Sequence, residues 1–167
     1  MNKKEIEFQL EDTQRRFIEL VNSIPEENYS LPTDNPAWTV GDILFHITLG
    51  PRALALEIWM TAHASGLFGF MMRHFPSRLF NSVNAWFGRG RSQRVSRQSL
   101  LKAYGKAHAV IMSELRRTRE EDLVKSVVYP PEFVSDLAGE VTPERLFRYV
   151  TGHFEAHEGQ LRRDSLV

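Results

Sequence analysis

His153 and His157 stand four residues apart in a chain of 167, within the run His153-Phe154-Glu155-Ala156-His157-Glu158-Gly159-Gln160-Leu161. Wound as a helix at about 100° per residue, this stretch places both imidazoles on one face with Leu146, Val150 and Leu161. Arg148, Thr151, Glu155, Glu158 and Arg162 fall on the other. Two imidazoles in an apolar stripe repel when protonated, and each has two ring nitrogens to satisfy. A divalent metal binds neutral imidazole and answers both demands. An i, i+4 pair supplies two ligands, so a third has to come from elsewhere. The same spacing also suits one core histidine bonded to a carbonyl and one that reaches solvent.

The chain has no cysteine. Disulfides, thiolate nucleophiles and thiolate metal sites are therefore excluded, and histidine and carboxylate are the strong ligands left. Its 21 basic and 21 acidic residues cancel to a formal charge of zero, so no global attraction to nucleic acid is implied. The start, Met1-Asn2-Lys3-Lys4-Glu5-Ile6-Glu7, is charged and lacks an apolar signal core, and no uninterrupted apolar run is long enough to span a bilayer. The expectation is a soluble cytoplasmic protein without a transmembrane segment, built as one domain over residues 1–167.

Four amphipathic helices must position these histidines. Ile6, Leu10, Phe17, Leu20, Val21 and Ile24 recur at three and four residues before Pro25, which predicts a first, core-packing helix. Pro25, Pro32, Asp34, Asn35 and Pro36 then mark a connection. A second helix opens at Trp38-Thr39-Val40-Gly41-Asp42, with Thr39 as N-cap and Asp42 at N3 in a capping box. Its inner face carries Ile43, His46, Ile47, Gly50 and Leu54, so a third histidine faces the core, with Gly50 and Ala53 leaving space beside it. Pro51 predicts a kink just past the histidine; glycine and proline here suit a shaped pocket or a bent helix alike.

Ser99 can cap a third helix with Leu101, Tyr104, His108, Ile111, Met112 and Leu115 on one face. His108 points inward as a satisfied core residue or a proton carrier, and with Tyr104 it completes the candidates for a catalytic role. His63 and His74 lie outside such stripes. Thr142, Pro143 and Glu144 are a strong start signal for the last helix. Residues 122–141, with Pro130, Pro131 and Gly139, predict a long irregular connection. Between the second and third helices, at about 66–97, lies a basic, aromatic-rich insertion. It reads as a solvated arm, a lid, an anion-recognition surface, a dimer contact or a membrane-surface element. No motif supports specific nucleic-acid binding.

The pattern is all-α: a four-helix bundle with long crossover connections. The run Trp38-Thr39-Val40-Gly41-Asp42-Ile43-Leu44-Phe45-His46-Ile47, taken with the terminal His153–Leu161 run, resembles the DinB-like superfamily of metal-binding bundles, which includes maleylpyruvate isomerase-type proteins. The resemblance spans essentially the whole chain. It implies a divalent-ion site of nickel, zinc, iron or manganese carried by His46, His153 and His157. It also implies a small-molecule substrate and, in some relatives, transfer of a low-molecular-weight thiol such as mycothiol, bacillithiol or glutathione; a homodimer is compatible with it. Three neutral imidazoles leave open positions where a thiol is held as thiolate or a water activated. The functions this implies are a metal-dependent thiol S-transferase, a hydrolase using metal-bound water, or a non-catalytic stress-response module with a structural metal. Asp42 is either a cap or an acceptor that orders His46, and Gln160 is placed to order the other pair.

Overall fold

The computed structural model describes residues 3–74, 95–132 and 134–161. Helix α1 (Lys3–Ser23) buries the expected stripe, Ile6, Leu10, Phe17, Leu20 and Val21, and ends before Pro25. Helix α2 (Val40–His63) begins at the capping box read from the sequence. Thr39 Oγ1 accepts from the Asp42 N–H, and the Asp42 carboxylate accepts from the Thr39 N–H, both at 3.2 Å. Pro51 lies inside α2, which continues through it as one helix. Helix α3 (Ser65–His74) follows almost at once. It forms the beginning of the basic aromatic insertion; the roles expected of that insertion fall mainly on residues 75–94, outside the described residues.

Helix α4 (Arg97–Arg117) starts earlier than the Ser99 cap expected of it. Ser96 is the N-cap: its Oγ accepts from the Ser99 N–H at 3.2 Å, while Ser99 Oγ accepts from the Ser96 N–H at 2.9 Å. The upstream serine prevails because the reciprocal pair satisfies two orphan donors where Ser99 alone would satisfy one. Helix α5 (Pro143–Glu158) has the predicted start, with Thr142 Oγ1 accepting from the Arg145 N–H. The connection before it is less irregular than the sequence suggests. Strands β1 (Val127–Tyr129) and β2 (Gly139–Val141) form a small antiparallel pair, and Gly139 takes φ +90°, a conformation that favours glycine.

Helices α1 and α2 each pack against both α4 and α5, so α1 and α2 stand diagonally across the bundle rather than side by side. This arrangement accounts for the α1–α2 and α4–α5 connections, each of which crosses between diagonal helices, whereas α2 and α4 are neighbours in the ring. The solvent-facing side of α5 is tied to α1, since Arg16 bonds Glu155 at 2.7 Å and Glu158 at 2.8 Å.

Two apolar clusters fill the bundle. One gathers Leu10, Leu54, Ile58, Ile111, Phe147 and Val150; the other gathers Phe17, Ile43, Ile47, Leu100, Tyr104 and Phe154. On every long helix of the ring a polar or small residue separates the two: Thr13 on α1, Gly50 on α2, His108 on α4, and Gly152 with His153 on α5. Within this middle layer Thr13 Oγ1 and Thr151 Oγ1 bond at 2.8 Å.

By length and mean hydropathy α2 passes for a membrane-crossing helix, a reading the interruptions at Asp42, His46, Arg52 and Glu57 argue against. Most of that stretch is buried inside the bundle, where it touches both flanking helices.

Candidate metal centre

His46 on α2 meets His153 and His157 on α5, with His153 in the middle layer. One ligand-capable atom from each lies within 4.8 Å of the other two, so the cluster could hold a metal ion. The Nε2 atoms of His46 and His153 are 3.1 Å apart. Nitrogens that share one ion tetrahedrally at about 2.0–2.1 Å stand roughly 3.3 Å from one another, so the pair is already spaced for a common ion.

The side chains around the cluster hold it in this form. His157 Nδ1 bonds Gln160 Oε1 at 3.1 Å, which leaves Nε2 as the free nitrogen of that ring. Gln160 thus has the orienting position read from the sequence. Asp42 does not orient His46: its carboxylate caps α2, and among the described residues the buried His46 Nδ1 has no hydrogen-bond partner. Gly50 makes the approach of His153 possible, because a Cβ there would lie 2.7 Å from His153 Nδ1.

Trp38 closes one side. Its indole meets His46 edge-on at 4.6 Å between ring centroids and stacks on His157 at 5.7 Å. The loop carrying it is tied over the end of α5, where the Asp34 N–H donates to the Gln160 carbonyl at 3.0 Å. Such an apolar wall limits water around the imidazoles and strengthens electrostatic interactions among them.

Burial dominates the titration of all three. It pushes His46 down to about 3, helped by the nearby His157, and holds His153 well below its ordinary range; His157 is lowered too, with the Gln160 bond opposing. The neutral form that binds a cation is therefore favoured. A linkage consequence follows for the metal-free protein. Unfolded imidazoles protonate near their ordinary value of 6.5, whereas the folded ones do not, so the unfolded state binds more protons below that value. Stability is expected to fall as pH is lowered through about 6.5, with His46 contributing a slope approaching about 1.4 kcal/mol per pH unit. Urea unfolding of metal-free protein across this range checks it, and a His46→Asn variant should show the shallower dependence. Equal slopes would refute the assignment.

The three histidines sit at one end of a cavity of about 480 Å³ that continues along α2 past Gly50, Ala53 and Leu54 to Glu57, with Tyr149, Asp136 and Leu137 opposite. Glu57 was not singled out in the sequence, although eleven residues past His46 is three turns and returns to the same face. Its Oε2 accepts from Tyr129 Oη at 2.8 Å. Burial pushes this carboxyl up, partly offset by that bond. Tyr129 had no local signal, since it reaches α2 from β1.

Tyr104 and His108 are not brought to the cavity. Tyr104 is 1% exposed and stacks on Phe17 with centroids 4.2 Å apart. His108 is buried beside the core of α4, its imidazole lowered by burial with Glu11 opposing.

A family model described as the DinB superfamily matches residues 9–161, a span that contains all three histidines and Glu57. No curated protein and no solved structure matches the chain.

Proposed function

Because the chain belongs to the DinB superfamily, we propose that it is a metal-dependent enzyme that transfers a low-molecular-weight thiol to an electrophilic small molecule, with His46, His153 and His157 as the ligands of a divalent ion. The observation that carries this reading is the convergence of three imidazoles at one end of a cavity of about 480 Å³. The donor set fits a borderline ion such as nickel, zinc or iron better than the harder manganese that the family resemblance also allows. A divalent ion there would supply the charge that lowers the pKa of a thiol placed beside it.

The chain's own residues bind, orient and exclude. Gln160 fixes the ring of His157, Gly50 gives His153 its place, and Trp38 limits access of water. The chain has no cysteine, so the nucleophilic sulfur comes from the co-substrate. Its S–H proton passes to solvent, a carbon–sulfur bond forms at the electrophile, and the leaving group departs with its electron pair. Low-molecular-weight thiols belong to reducing compartments, which supports a cytoplasmic setting.

The test is turnover of an activated aryl chloride by metal-loaded protein with and without thiol. Strict thiol dependence, lost on chelation, is the expected result. Turnover of ester or amide substrates indifferent to thiol would replace the transferase with a hydrolase. No turnover, together with a melting temperature that collapses on chelation, would make the metal structural.

A further inference from the structure

The cavity has a chemical direction. Its histidine end is built of neutral donors and gains positive charge from any ion it holds. Its other end presents the carboxyl groups of Glu57 and Asp136, and among the described residues no lysine or arginine lines it. Glu57 is the sharper feature. It shares the inner face of α2 with His46, about 16 Å farther along the helix axis, too far along to belong to the same cluster.

Tyr129, itself 3% exposed, donates to Glu57 Oε2. A phenol supplies a hydrogen bond but no compensating charge. Among the described residues no cation pairs with Glu57, whose bond from Tyr129 engages one carboxyl oxygen. A partly buried carboxyl at a cavity wall is costly without a compensating charge, and none of the described residues lining the cavity supplies a Lys or Arg cation. Phenolic Tyr149 lines the opposite wall, one turn before His153.

We propose that Glu57 is the specificity residue of this cavity and receives a cationic, ammonium-bearing end of a substrate whose sulfur lies at the histidine end, with Tyr129 as the positioning residue that fixes the carboxyl. The assignment rests on the thiol reading above. It names a substrate class: an elongated aminothiol, or a thiol conjugate with its amine remote from sulfur.

The experiment uses cobalt-loaded full-length protein and follows the sulfur-to-cobalt charge-transfer absorbance. Simple alkanethiols are titrated against their ω-amino counterparts over a series of chain lengths. Pairs of intermediate length, too long for the amine to chelate the cobalt or acidify the thiol and too short to reach Glu57, should bind alike. Once the chain is long enough to reach Glu57, the aminothiol should bind about tenfold or more tightly, and an ω-carboxy thiol of that length should bind more weakly than the alkanethiol. Glu57→Gln, which can still accept from Tyr129, should erase the ammonium preference while leaving cobalt content and alkanethiol affinity unchanged. A band with every thiol but no length-dependent ammonium preference in the wild type overturns the role of Glu57 and leaves the thiol site standing. A preference that survives Glu57→Gln overturns it equally. No band with any thiol overturns the thiol reading and the assignment with it.

Discussion

Substitution of His153 by alanine is expected to strip the protein of its metal while leaving the bundle folded. Untagged wild type, purified without chelator, should carry about one divalent ion per chain, and His153→Ala a small fraction of that. His153 has its Nε2 3.1 Å from that of His46 and its ring within 5.0 Å of both other imidazoles, measured between centroids. Without it the site is reduced to His46 and His157, one from each helix, and two imidazoles are a poor cage for any borderline ion. The loss should exceed the roughly 10–100-fold that removal of an orienting partner costs. Folding should survive, because His153 lies between the apolar clusters and the flanking anchors Val150 and Phe154 remain in place. Elemental analysis beside circular dichroism separates the two effects. Wild type without metal, or a folded His153→Ala that keeps its ion, would sink the assignment.

What could be read from the chain in advance was whatever local chemistry decides. Thr142 with Pro143, and Thr39 with Asp42, start helices through bonds that span three residues, and both starts are present in the structure. The histidine stripe was legible for the same reason, since helical periodicity alone sets which residues share a face. The Ser99 start failed within the same local range, because two serines three apart are each able to cap and only the reciprocal bond decides between them.

The features that stayed hidden depend on tertiary approach. Strands of three residues, as in 127–129 and 139–141, are too short for alternation to declare itself. Their pairing nevertheless delivers Tyr129 to Glu57 across the bundle. Glu57 had the periodicity to be noticed but not the residue type, since an acid on a helix is ordinarily solvated. Asp42 shows the reverse: its position one turn before His46 invited a role in orienting the imidazole, and the structure uses its carboxylate as a cap.

Gly50 separates a merely flexible position from a built one, and Gly50→Ala is expected to weaken metal binding without removing a ligand. Within a helix, alanine is favoured over glycine by about 1 kcal/mol, so propensity alone predicts a more stable protein. The added Cβ, however, would meet His153 Nδ1 at 2.7 Å and Cε1 at 2.9 Å, distances at which something must move. The backbone of α5 is held by Phe147, Val150 and Phe154, all buried, so the imidazole has to swing. Any swing large enough to relieve the contact turns Nε2 away from His46. Metal affinity should fall by about 10–100-fold, the range seen when the support of a ligand is lost. In urea unfolding of the metal-free proteins, propensity gain and steric cost should largely offset each other. Competition with a chromophoric chelator gives the first quantity and denaturation the second. Affinity equal to wild type would mean that the His153 ring has room the structure does not give it, whereas a matching loss of stability would make Gly50 a packing residue and not a support of the metal centre.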